Sequence, residues 1–191
     1  MKKKPSENDR MTGYVAFLRG INVGGNNLIK MEDLKKVFET MGFRNVKTLL
    51  ASGNVIFDTV KEKTLILGRI IGEKLETTFG YNNGVIVRSI KEIQNLADIG
   101  PFKNITVTPE TRLYITFLPE KPKSNLKIPY ESPEKDFKIL QVTDTEVCSV
   151  ITLSHNRNTL DAMNILEKEF GKKITTRNWN TIERILKNSR Q

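Results

Sequence analysis

The alternation of apolar spacing across residues 14–88 constrains this chain more than any other feature. Residues 14–18 (YVAFL) form an unbroken β-branched and aromatic run that predicts a central strand. Helical spacing then takes over at Met31, Leu34, Val37, Phe38 and Met41, with Gly42 as a left-handed stop. Two short strands follow at 46–50 and 54–58, and Ser52-Gly53 between them suits a tight hairpin. Residues 65–79 predict a second helix with Leu67, Ile70, Ile71, Leu75 and Phe79 on one face and Gly80 closing it. Gly68 and Gly72 weaken that helix but permit close packing on a sheet. With a fourth strand at 85–88 the order is β-α-β-β-α-β, the ferredoxin-like arrangement.

The remainder predicts similar elements in looser form. Ser89 opens a third helix, and Glu92 completes its capping box. A strand at 112–118 (RLYITFL) leads into residues 119–136, a connection with four prolines and room for a short helix. A hairpin at 137–142 and 147–153 turns at Thr143-Asp144. A helix at 158–170 starts on an Asn or Thr cap and ends at Gly171; a strand at 173–175 precedes a last helix at 177–187. The expected fold class is α+β, with two ferredoxin-like, βαββαβ-type subdomains and mainly antiparallel sheets. Residues 1–12 read as a flexible basic tail, 13–89 as the first subdomain and 90–191 as the second, which contains the Pro-rich connection and the C-terminal helix. The element order repeats, whereas no residue-level repeat is evident.

Charge narrows the set of partners. The 191 residues carry a formal +9, and it is unevenly placed. Residues 172–191 hold six basic and one acidic residue, and residues 1–10 hold four basic and two acidic. Such a balance attracts phosphate-bearing partners. One cysteine (Cys148) and one histidine (His155) exclude a disulfide framework and a Cys/His zinc cluster. No run approaches the ~18 apolar residues of a membrane span, and the basic start is followed by no signal-peptide apolar segment. These features predict a soluble, cytoplasmic protein with no membrane partner.

Two polar segments stand out as candidate sites. In the expected sheet the end of strand 1 lies beside the start of strand 3, bringing Arg19, Asn22, Gly24 and Gly25 next to Ser52, Gly53 and Asn54. Arg offers a guanidinium fork for phosphate or carboxylate, and glycines let backbone N–H groups approach an anion. The loop is neither a Walker A nor a G-x-G-x-x-G motif. Gly and Asn are also the ordinary residues of any tight turn. The second segment, Thr175-Thr176-Arg177-Asn178-Trp179-Asn180-Thr181, reads as the cap and first turn of the last helix, an anion site with Trp179 able to stack. Against that, a Thr cap and Trp179 as a core residue explain the same letters. Cys148 lies mid-strand and reads as a small core residue, His155 as a turn residue, and Asp33 as a first-turn acid that could face the Gly-rich loop.

The segments YVAFLRGINVGGNN, M-x-x-L followed by MGF, SGNVIFD and TTRNWNT together resemble the family called domain of unknown function 1697, from residue 13 to about 186. The resemblance implies a small, mostly bacterial, cytoplasmic α+β protein with two subdomains of ferredoxin-like character. It implies no activity, ligand or catalytic residue. Its signature segments fall on residues 19–22, 24–27, 52–54 and 176–180, the polar loops already singled out.

The residues favour a module that binds a phosphate-bearing ligand, a nucleotide or single-stranded nucleic acid, at Arg19, Arg177 and the loop amides, with Trp179 or Tyr14 stacking. Two alternatives stay open. One is a metal-independent enzyme acting on a small phosphorylated or carboxylated metabolite, with Asp33 or His155 as base. The other is a non-catalytic interaction protein whose polar loops only brace the subdomains. Arg19, Asn54 and Arg177 decide between them by being open to a ligand or buried and satisfied.

Overall fold

The computed structural model describes residues 11–22, 28–82, 84–153 and 159–189, with the side chains of 159 and 160 left out. Gly24, Gly25 and His155, and the expected cap of the helix at 158–170, lie outside these residues. The chain is α+β, with two antiparallel sheets and, among the described residues, five helices. It divides into two units, one comprising residues up to Asn95 together with 184 onward, the other Leu96–Glu183.

In the first unit the order is β1 (Met11–Leu18), α1 (Met31–Thr40), β2 (Arg44–Leu49), β3 (Asn54–Val60), α2 (Thr64–Phe79) and β4 (Val85–Ser89). The sheet runs β2-β3-β1-β4, all pairs antiparallel. Alternation along β1 explains its central place. Tyr14, Ala16 and Leu18 join Leu34, Phe38, Leu67, Ile71 and Leu75 in one core, while Val15 and Phe17 are buried on the opposite face. Phe57 sits at the centre of that core, stacked on Phe43 at 4.5 Å and edge-on to Phe38 at 5.5 Å. Gly68 has the role expected of it: a Cβ there would lie 2.8 Å from the Val85 carbonyl oxygen, so α2 rests directly on β4. Gly72 faces open space instead.

The capping box forms at the start of α3 (Ile90–Ile99): the Ser89 N–H donates to Glu92 Oε2 at 2.7 Å and the Glu92 N–H to Ser89 Oγ at 3.2 Å. The second unit then contains β5 (Thr111–Phe117), β6 (Tyr130–Glu131), β7 (Phe137–Val142), β8 (Glu146–Thr152), α4 (Thr159–Phe170) and β9 (Thr175–Asn178), and α5 (Trp179–Ser189) begins in it. Its sheet runs β6-β7-β8-β5-β9, again antiparallel. The Pro-rich connection, which had room for a short helix, holds the two-residue strand β6, because Tyr130 and Glu131 pair with Ile139 and Lys138.

The strand expected at 173–175 is displaced. Thr175, Thr176 and Arg177 pair in register with Phe117, Thr116 and Ile115, so the TTR run is ladder rather than helix cap. Helix α5 starts at Trp179, and the cap is Asn178, whose Oδ1 accepts the Asn180 N–H at 3.0 Å.

Register exposes a residue-level repeat. Tyr14 pairs with Phe57 on one side and Ser89 on the other; Tyr114 pairs with Ser149 and Asn178 in the same way. Val15 opposes Arg88, and Ile115 opposes Arg177. Each arginine is buried and donates Nη1 to the carbonyl just before it, at 3.0 Å for Arg88 and 2.9 Å for Arg177. YVAFL at 14–18 and YITFL at 114–118 are therefore one motif used twice.

Candidate functional site

The loops at the end of β1 are built around internal bonds. As expected, the start of β3 lies beside the end of β1, and the Leu18 N–H donates to the Gly53 carbonyl at 2.8 Å. Gly53 has φ of 75°, and a Cβ there would lie 2.9 Å from the Leu18 Cβ, so only glycine fits. Asn22, also at positive φ, uses its whole amide. Oδ1 accepts the Ile29 N–H at 2.9 Å, and Nδ2 donates to the carbonyls of Ile29 and Ala51 at 3.0 and 2.9 Å. Asn54 is 0 % exposed and donates to the Leu49 carbonyl at 2.9 Å and to Ser52 Oγ at 3.1 Å. Half-buried Arg19 is fixed through its backbone, its N–H donating to the Tyr81 hydroxyl at 2.7 Å and its carbonyl facing the same hydroxyl at 2.8 Å.

The second segment behaves similarly in part. Arg177 is 8 % exposed and binds Thr175 Oγ1 at 3.0 Å as well as the Thr176 carbonyl. Trp179 packs edge-on to Phe102 at 5.2 Å and donates Nε1 to Glu183 Oε1 at 3.1 Å. Tyr14 is 2 % exposed, stacks on Phe57 and bonds the Glu62 backbone through its hydroxyl, so its ring faces the core. Asp33 pairs with Lys36 at 3.8 Å. Cys148 is a core residue of β8; burial, reinforced by Glu146, pushes its thiol up to about 12. Among the described residues no three His, Cys, Asp or Glu side chains gather to hold a metal ion. Nor is any helix among them long and apolar enough to cross a membrane.

A groove of about 500 Å³ in the first unit has the size of a ligand site. Lys35 and Lys47 line it, but so do Glu39 and Asp58, and Lys47 Nζ already donates to the Asn188 carbonyl at 3.0 Å. Its charges balance, which suits no anion.

The helix-facing side of the second sheet differs. Tyr114, Thr116, Ser149, Thr176 and Asn178 lie on one face, since Tyr114 pairs with Ser149 and Asn178, and Thr116 with Thr176. Thr116 and Thr176 hydroxyls bond each other at 2.8 Å. Burial raises the pKa of the Tyr114 hydroxyl against the opposing pulls of Arg112 and the neighbouring Asn178 side chain. Arg112, two residues before Tyr114 on β5, commits Nη1 to the Pro109 and Thr111 carbonyls. Ser149 Oγ is buried without a hydrogen-bond partner among the described residues.

Corresponding places in the first sheet hold Ala16, Val87 and Phe57 where this one has Thr116, Thr176 and Ser149. Tyr114, Thr176 and Asn178 are half-exposed, whereas Tyr14 is sealed. Helix α2 lies against β4, but α4 makes no comparable approach to β9. Of the sequence-derived candidates Asn178 belongs to this group, together with Thr176 of the same segment. The signal for the others was the YVAFL/YITFL pair, in which one Ala becomes Thr.

No curated protein matches this sequence. The fold is similar to that of a solved structure described as conserved bacterial protein SP0830 from Streptococcus pneumoniae, with a TM-score of 0.65 and 21% identity over 93% of this chain and 98% of that one. The sequence matches the family described as "Protein of unknown function (DUF1697)" over residues 11–147. Since that match spans most of the chain, the protein belongs to the DUF1697 family.

Proposed function

We propose that this is a cytoplasmic protein that binds a small phosphate-bearing ligand on the β5–β9 side of the second sheet, and that each unit is a ferredoxin-like subdomain. The observation that carries the reading is the grouping of Arg112, Tyr114 and Asn178 on one half-exposed face. A guanidinium, a phenol and an amide are the donors a phosphate takes, and among the described residues no acceptor is set against Arg112 Nε or Nη2. The basic surplus of the chain favours the same ligand class. A small molecule fits better than a nucleic-acid strand, because the central aromatics of the first sheet, Tyr14 and Phe57, are packed in its core rather than offered for stacking. Binding is favoured over catalysis, because Asp33, the candidate base among the described residues, lies on α1 of the first unit and pairs with Lys36 at 3.8 Å. For Asn22, Gly53, Asn54 and Arg177 the bracing role is favoured, since their hydrogen bonds and packing are internal.

Trp179 follows Asn178 directly and reports on the site. Titrating inorganic phosphate, nucleoside monophosphates and short oligonucleotides against its fluorescence should give a saturable change with a small phosphate, lost in Arg112→Ala. Silence toward all of them, or a response unchanged in Arg112→Ala, overturns the reading. A response to oligonucleotides alone, falling steeply with salt, replaces the small molecule with nucleic acid.

A further inference from the structure

We infer that the ligand carries a hydroxyl-rich, sugar-like body behind its phosphate, and that the Ser149 hydroxyl meets it; this rests on phosphate being held at Arg112. Three neighbouring positions separate the two sheets, and each changes in the same sense. Ala16 becomes Thr116, Val87 becomes Thr176 and Phe57 becomes Ser149. Three positions that carry hydrocarbon in one unit carry hydroxyls in the other, beside a core of Val147, Ile139 and Ile151. Thr116 and Thr176 satisfy each other at 2.8 Å, but Ser149 Oγ, on a residue 0 % exposed, has no partner among the described residues.

A buried hydroxyl without a partner is rare in a native core, because it gives up its bonds to water and receives nothing in return. Where the first sheet pairs Tyr14 with the Phe57 ring, the second pairs Tyr114 with this hydroxyl. Tyr114, directly opposite Ser149 in the ladder, is half-exposed, so a ligand held at the rim meets Ser149 once the Tyr114 ring turns aside. Hydroxyls both donate and accept, which complements the hydroxyls of a polyol and discriminates against an alkyl chain or an aromatic base. Arg112 and Asn178 flank Tyr114 at the rim, and Ser149 and Thr116 lie deeper. A sugar phosphate therefore presents its anion outward and its hydroxyls inward.

The test compares ribose 5-phosphate, butyl phosphate, inorganic phosphate and a nucleoside 5′-monophosphate by calorimetry on the full chain. Wild type is expected to bind ribose 5-phosphate at least tenfold more tightly than butyl phosphate. Ser149→Ala and Thr116→Val should each erase that difference while leaving inorganic phosphate binding unchanged. Thermal unfolding of Ser149→Ala, unaltered because no bond is lost, shows that the variant folds. Butyl phosphate binding as well as ribose 5-phosphate, or a ratio unmoved by Ser149→Ala, overturns the inference while phosphate binding at Arg112 stands. No Arg112-dependent binding of any phosphate overturns both. A nucleoside monophosphate binding tenfold more tightly than ribose 5-phosphate shows that a base is recognised and also overturns it.

Discussion

Tyr14 and Tyr114 hold the same register position in their two sheets, yet one is sealed beneath helices and the other is half-open. Around Tyr14 the positions are filled by Phe57, Ala16 and Val87, and Gly68 lets α2 settle onto β4. Around Tyr114 the same positions are Ser149, Thr116 and Thr176, and α4 has no glycine with which to approach β9. The backbone plan is shared, and the side chains decide which face is closed. What distinguishes a core from a candidate site here is two threonine hydroxyls and one aromatic ring replaced by serine.

Making the first face like the second gives the largest effect. Phe57→Ser removes a ring packed against three aromatics and buries a hydroxyl in its place, so urea denaturation should show a loss of about 4 kcal/mol. A loss below about 1 kcal/mol would mean that the first core is not closed by packing. The opposite sheet faces differ too, since Cys148 stands where the first unit has Ile56. Its thiol ionises near the ordinary 9.0 when unfolded but only at about 12 when folded. Stability contributed through it is therefore complete below pH 9 and declines by about 1.4 kcal/mol per pH unit as pH rises toward 12. Denaturation of wild type against Cys148→Ala over that range should show the difference, and parallel curves would refute it.

Smaller changes sharpen the contrast. Asn54→Ala should cost about 2 kcal/mol by leaving the Leu49 carbonyl unpaired, and thermal melts would detect it. Gly68→Ala should lower stability by about 1 kcal/mol, its Cβ meeting the Val85 oxygen, whereas Gly72→Ala should raise it by up to about 1 kcal/mol. Equal effects at the two glycines would remove the argument for close helix approach. Smallest of all, Ser149→Ala should leave stability within about 0.5 kcal/mol, because no hydrogen bond is lost.

Periodicity located the first unit well because its helices and strands carry apolar residues at clean spacings, from Leu34 and Phe38 to Leu67 and Leu75. It misread TTRNWNT because Thr and Asn serve equally as helix caps and as edge-strand residues, and only pairing with Phe117, Thr116 and Ile115 decided for the strand. The convergence of Arg19 with Ser52, Gly53 and Asn54 was legible from topology, but the internal bonding of Asn22 and Asn54 was not, since an amide looks the same whether it meets a ligand or a carbonyl. Arg112, Thr116 and Ser149 drew no attention because Thr and Ser in a strand have no distinctive spacing. They stand out only against their counterparts in the other sheet.

The outer strands bear on a different matter, the behaviour of the protein at high concentration. Unpaired strand edges are templates for pairing between molecules. At β2 the ladder is interrupted by a bulge between Arg44 and Lys47, with Asn45 at φ of 52°, so a neighbouring strand finds no continuous row of N–H and C=O groups. At the far side of the second sheet β6 offers only two residues, and Glu131 is tied to Lys138 at 2.9 Å. Aggregation through these edges is thereby discouraged by irregular backbone at one edge and by brevity and charge at the other.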